Sequence, residues 1–287
     1  MELKVQKIKT DWTIIPGGLT WFIIGQPKSG KTTAAAEWSE KGNEGVVIFD
    51  IDSGADFVDG ANVVPITSLN SPIRPKLDKN GGNVMKDGEP QQEIIPPNER
   101  GSYYRTGKEK GTAMPVYSLA EAFSWIRKEW DKLSYDTIVI DTITEVNQWI
   151  EAVVKEELGI SAMGQGEWGT DWGMARRKNL DIMKRLQNFI KKKGGNLVII
   201  GHSKTTTVTD GKAQLSPELP GGLTRALTAK ADVIGYVTGN KSTETFSIDF
   251  QSYDERAIGS RLKPLVQKIL PLSYEAVINE IKSYKEK

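Results

Sequence analysis

The sequence predicts an α/β fold: a mostly parallel sheet with helices on both faces and an antiparallel strand pair near the C-terminus. Three observations carry this. Short apolar, β-prone runs (Leu19–Ile24, Val46–Ile51, Thr137–Ile140 and Asn196–Ile200) alternate with stretches of helical spacing. Between the first run and an Ala-rich stretch stands Gly25-Gln26-Pro27-Lys28-Ser29-Gly30-Lys31-Thr32, which satisfies G-x-x-x-x-G-K-[ST]. Finally, Ala231–Thr238 and Glu244–Phe250 flank a Gly239-Asn240 turn, as an antiparallel pair would. In such sheets ligands bind at the carboxyl ends of the strands.

The elements follow in order. Residues 1–18 form a lead-in with one short strand over Leu3–Ile8, closed by Pro16-Gly17-Gly18. The Ala-rich stretch Thr32–Lys41, with Gly42 just beyond, predicts a helix. Val46–Asp52 is a strand ending in two carboxylates, and Asn62–Ile66 a short third strand. Residues 70–117, rich in Pro, Gly and charge, predict an irregular insertion of turns with one β-hairpin. Ser118-Leu119-Ala120-Glu121 opens a helix to about Leu133 with a capping box, with Ala120, Phe123, Ile126 and Trp130 on one face. Asp136–Asp141 is a buried strand, followed by a helix to Leu158 that Gly159 stops. A Gly- and Trp-bearing loop to Trp172 leads into a helix over Gly173–Lys193. Beyond the strand Asn196–Ile200 lie a polar loop to Leu219, a short helix from Gly221-Gly222, the antiparallel pair and a terminal helix over 273–285. The whole reads as a single domain over 1–287.

Thirty-eight basic residues face thirty-seven acidic ones, so global charge points to neither nucleic acid nor a membrane surface. Without cysteine there are no disulfides or thiolate metal sites, which fits a reducing, cytoplasmic compartment. No apolar run approaches the length of a membrane span, and the first residues show no signal-peptide core.

Strand, glycine loop and helix in that order make a phosphate cradle, so Gly25 to Thr33 is the predicted site for a nucleoside triphosphate. Loop N–H groups and the helix N-terminus face the anion, Lys31 reaches the β- and γ-phosphates, and the Thr32 hydroxyl is the expected Mg²⁺ ligand. Asp141, at the end of a hydrophobic strand, is the candidate second metal group; otherwise it is a helix N-cap. Asp50 and Asp52, two apart on a strand, share a face. Asp52, nearer the strand end, is the candidate that orients a water for attack on the γ-phosphate; the plainer role is a turn-forming aspartate. His202, the sole histidine, is placed to sense the γ-phosphate. Lys28 either contacts phosphate or is a solvated loop lysine. Trp168 and Trp172 precede a row of cations that includes Arg176 and Arg177, a combination suited to single-stranded nucleic acid through stacking and phosphate neutralisation. Core tryptophans beside a solvated helix face are the alternative.

Taken together, the P-loop, the strand ending Phe49-Asp50-Ile51-Asp52, Ile138-Val139-Ile140-Asp141, and Gly221-Gly222-Leu223 with Ala231-Asp232-Val233 resemble the RecA-like ATPase core. They are closest in kind to phage-encoded RecA-like ATPases linked to single-strand annealing and recombination. The resemblance covers about residues 18 to 265 and implies ATP and Mg²⁺ as cofactors. It gives Asp52 the catalytic acid's place, where RecA has glutamate, and makes Asp141 the Walker B acid. His202 falls at the polar sensor, usually glutamine in RecA. Residues 165–172 fall at the first DNA-binding loop, and 203–219, with Lys204 and Lys212, at the second. Tyr253–Gly259 resembles the arginine-finger segment of RecA-like hexameric helicases, with Arg256 as the finger and Arg261 as the fallback. The expectations that follow are an ATPase acting on single-stranded DNA in recombination, annealing or repair, a homo-oligomeric ring or filament, and a single-strand-binding or annealing protein as partner. The alternative is a nucleotide-switched loader or regulatory module with slow hydrolysis.

Overall fold

The computed structural model describes residues 11–15, 17–100, 103–104, 113–207, 213–240, 245–252 and 257–285. Its central sheet has eleven strands: β1 (Thr20–Gly25), β2 (Val46–Asp50), β3 (Val63–Ser68), β4 (Tyr117–Ser118), β5 (Thr137–Asp141), β6 (Asn196–Thr207), β7 (Ala213–Pro217), β8 (Val233–Asn240), β9 (Thr245–Asp249), β10 (Gly259–Ser260) and β11 (Ile269–Pro271). Their order is β4-β3-β2-β5-β6-β1-β8-β9-β11, with β7 on β6 and β10 on β8. Pairing is parallel from β4 to β8 and antiparallel beyond, the α/β arrangement that the alternation of runs predicts.

Two-residue alternation divides the strands between two cores. Phe22, Ile24, Val47, Phe49, Ile138 and Ile140 face the helices α2 (Leu119–Glu129), α3 (Ile143–Leu158), α4 (Thr170–Lys193) and α5 (Gly221–Lys230). Trp21, Ile23, Val46, Ile48 and Val139 face the other side, with α1 (Lys31–Ala35) and α6 (Tyr274–Ser283). Because these strands are buried on both faces, they read as continuous apolar runs rather than alternating ones. Burying one such Ile or Phe contributes about 1.5–3 kcal/mol.

Several boundaries differ from the sequence reading. The helix expected over Thr32–Lys41 ends at Ala35. The chain turns inward there so that Trp38, fully buried, meets Trp21 and Tyr274 edge-on. In α2 the inward face is Leu119, Ala122 and Ile126, continued by Trp130, whereas Ala120 is exposed. Strand β6 runs to Thr207, through the β-branched Thr205, Thr206 and Thr207, and pairs antiparallel with β7, so much of the expected polar loop is strand. The insertion holds three two-stranded ribbons rather than one hairpin: Ile73–Pro75 with Gln92–Ile94, Met85–Lys86 with Glu89–Pro90, and Tyr103–Tyr104 with Ala113–Met114. Arg100 ties it to the domain. Its buried guanidinium grips both oxygens of Glu121, which also closes the capping box on Ser118. That grip, with the Ser118 N–H assisting, holds the Glu121 carboxyl down at about 2. The predicted lead-in strand Leu3–Ile8 lies outside the described residues.

Candidate functional site

Parallel register brings the site to one edge of the sheet. Gly25, the last residue of β1, stands opposite His202 on β6, and Asp141, the last of β5, stands opposite Asp50, the last of β2. On β6 Asp141 stands opposite Ile200, two residues before His202, so the loop, the two acids and the imidazole come together at the carboxyl edge of the parallel strands. A pocket of about 510 Å³ results, lined by Pro27 to Thr33, Asp52, Gly54, Asp141, Thr142, His202 and Phe246.

Gly30, with φ of +80°, turns the loop into α1. Gly25 has no room for a side chain, since an added Cβ would stand 3.0 Å from Ser29 Oγ and 3.1 Å from the Val237 carbonyl oxygen. The Lys31 ammonium donates to the carbonyls of Gly25 at 3.2 Å and Gln26 at 2.7 Å. Burial lowers its pKa, while Asp141 and Asp52 pull it back up. Lys28 and Gln26 are exposed at the rim.

Thr32 Oγ1 donates to Asp141 Oδ2 at 2.6 Å, the pairing expected of two groups that hold one cation between them. Asp141 is only 1 % exposed, and its pKa rises to about 7, first through burial and then through the charge of Asp52. Oxygens of Asp50, Asp52 and Asp141 lie within 4.8 Å of one another. The Gly54 N–H donates to both Asp50 Oδ1 and Asp52 Oδ1, at 3.0 and 3.1 Å. A Cβ on Gly54 would sit 2.9 Å from Asp52 Oδ1, 3.3 Å from Thr32 Oγ1 and 3.4 Å from Asp141 Oδ2, so a bare glycine keeps that space open. A hydroxyl and hard carboxylate oxygens around a glycine-cleared space suit Mg²⁺.

The strand β2 ends at Asp50, so the expected face-sharing of Asp50 and Asp52 does not apply. Asp50 is buried, and Asp52 sits in the following turn, partly exposed and facing the pocket. His202 Nε2 is 3.7 Å from Asp52 Oδ2, beyond hydrogen-bond reach, and its backbone N–H is fixed by Thr144 Oγ1 at 3.1 Å. Among the described residues its buried Nδ1 has no partner.

The expected DNA-contacting residues lie elsewhere. Trp168 is fully exposed and Trp172 40 % exposed, which removes Trp168 from any core. Trp172 and Arg176 line a cleft of about 480 Å³ with Gly169, Pro220, Gly221, Gly222 and buried Asn147. In the basic row Lys178 pairs with Glu157, Arg185 with Asp181 and Lys193 with Asp131; among the described residues no ion pair joins Arg176 or Arg177. Lys204 is exposed, with its ammonium on the Leu219 carbonyl. Lys212 and Arg256 lie outside the described residues. Arg261, the fallback finger, is engaged by Asp232 and the Ala229 carbonyl.

Sequence reasoning missed Gly54 and Phe246. A glycine soon after the strand's acids was a visible but weak signal for the first. Nothing in the local pattern of β9 singles out the second.

A phosphate loop between β1 and α1, with acids on the ends of neighbouring parallel strands, defines a P-loop nucleoside triphosphatase. The chain belongs to the AAA domain family, whose model matches residues 18–263. Comparison with curated proteins gives no match. No helix among the described residues is long and apolar enough to cross a membrane.

Proposed function

We propose that the protein is a Mg²⁺-dependent ATPase that acts on single-stranded DNA in recombination, annealing or repair. The observation that carries this is the pairing of the phosphate pocket with a separate cleft, where Trp172 and Arg176 meet the start of α5 and Trp168 stands fully exposed nearby. An indole and a guanidinium that has no ion-pair partner among the described residues supply the stacking face and phosphate contact that a single strand needs. A phage setting rests on the order of the motifs alone.

In the chemical step, loop N–H groups and Lys31 hold the β- and γ-phosphates, and Thr32 with Asp141 would hold Mg²⁺. A cation bound there would supply neutralisation of the charge that develops on the phosphates. Asp52, partly exposed beside His202, orients the attacking water and accepts its proton. His202, beside that acid, stands on β6, whose paired extension with β7 leads away from the site. The active form is a homo-oligomer, ring or filament, with Arg256 of one subunit completing the neighbour's site; a single-strand-binding or annealing protein is the fitting partner.

The test is ATP hydrolysis with and without single-stranded DNA. Stimulation by single strands over duplex supports the reading. A slow rate indifferent to DNA replaces it with the nucleotide-switched loader.

A further inference from the structure

We propose that Phe246 is the platform on which the base of the bound nucleoside triphosphate stacks, an inference that rests on the nucleotide reading of the P-loop. Along the carboxyl edge of the sheet the groups stand in sequence: Asp50 on β2, Asp141 on β5, His202 on β6, the phosphate loop on β1, then β8 and β9. Every acid that could serve the γ-phosphate end lies on one side of β1. Phe246 lies on the other side, on β9, two strands from β1. Neighbouring strands are about 4.8 Å apart, so β9 lies roughly 10 Å from β1, on the side of the loop away from the acids, and a nucleotide with its terminal phosphate among the acids would carry its base toward β9.

The ring is seated for this. It lies over two glycines: a Cβ on Gly30 would be 3.3 Å from its Cδ2, and one on Gly239 3.1 Å from its Cε1. Both edges of the ring therefore lie against residues that have no side chain. Phe246 shares its face of β9 with Ile248, which is fully buried, yet remains 42 % exposed itself. It is the one Phe, Tyr or Trp among the described residues that line the phosphate pocket. A large apolar ring left half-open beside a phosphate loop gains most from a flat apolar ligand on its free face. Since every base has a π-face, the platform favours a base over none and discriminates weakly among bases.

The experiment compares binding of ATP and inorganic triphosphate, each with Mg²⁺, to the unaltered protein and to Phe246→Ala, Phe246→Leu and Phe246→Tyr. Phe246→Ala should bind ATP about 5- to 150-fold more weakly, the usual range for one lost stack. Inorganic triphosphate, which has no base, should bind equally well, and this also shows the loop to be folded. Phe246→Leu keeps apolar cover on the glycines without a π-face and should lose ATP affinity as well, while Phe246→Tyr should retain it. Unchanged ATP affinity in Phe246→Ala, or a parallel loss of triphosphate binding, overturns the platform. Binding of neither ligand by the unaltered protein overturns the nucleotide reading and the platform with it.

Discussion

Asp141→Asn should make the metal-free protein more stable at pH 8, even though the residue is central to the site. The structure gives the reason. Asp141 is 1 % exposed and faces two other carboxylates, and its pKa stands near 7 against 3.8 in the unfolded chain. Because the folded pKa is raised, the native state binds more protons than the unfolded one between those values. Stability therefore falls as pH rises from about 4 to 7 and is flat above, by up to about 4 kcal/mol for a shift of this size. Asparagine carries no charge, still accepts the Thr32 hydroxyl through its carbonyl, and can donate to the oxygens of Asp50 or Asp52. The assay is denaturant unfolding with a chelator at pH 5 and pH 8. The variant should lack most of the fall seen in the unaltered protein. Adding Mg²⁺ and ATP should reverse the order, since binding stabilises only a chain that can hold both. Equal slopes with pH in the two proteins, or a variant less stable at pH 8 in chelator, would refute the argument.

Lys31→Ala should abolish hydrolysis, because it deletes the cation facing the β- and γ-phosphates; near-normal turnover would remove the loop from the mechanism. Asp52→Asn should keep ATP binding and slow single-turnover hydrolysis about 10²- to 10⁴-fold, and if Asp50→Asn alone does this, the two acids exchange roles. Trp168→Ala should weaken single-stranded DNA binding by roughly 1–3 kcal/mol with no change in melting temperature, because its side chain is fully exposed; unaltered affinity in a titration would exclude it from the interface. Arg256→Ala should bind ATP yet hydrolyse it slowly and regain activity when mixed with excess Lys31→Ala subunits; no rescue on mixing would show that it does not act in trans.

What was legible in the sequence was what is local. The P-loop can be read because its glycines, Lys31 and Thr32 stand within eight consecutive residues at a fixed spacing, and its flanking run is apolar on both faces. Asp141 was readable for the same reason, as an acid closing a run buried on two sides. The end of β2 was less so. Asp50 and Asp52 look equivalent in the sequence, but the strand stops at Asp50, and Gly54 then folds back to donate to both. Contacts between distant segments decided the rest. The end of α1 is set by Trp38 meeting Trp21 and Tyr274, and the insertion is anchored by Arg100 on Glu121. Neither partner is visible from the segment that depends on it.

The same distinction explains why the two halves of the pocket differ in legibility. The phosphate end is built on four neighbouring parallel strands, β2, β5, β6 and β1, whose parallel register brings their carboxyl-end residues to one edge. The far end is built where the sheet turns antiparallel. There Phe246 comes from a strand running the opposite way and reaches Gly30 only through the register of β8 with β9. A one-residue slip in that register would turn the side chain to the other face of the sheet. Chemistry shared by P-loop proteins therefore sits where the chain spells it out. The part of the pocket that would meet the base depends on pairing between β8 and β9, which local sequence patterns do not encode.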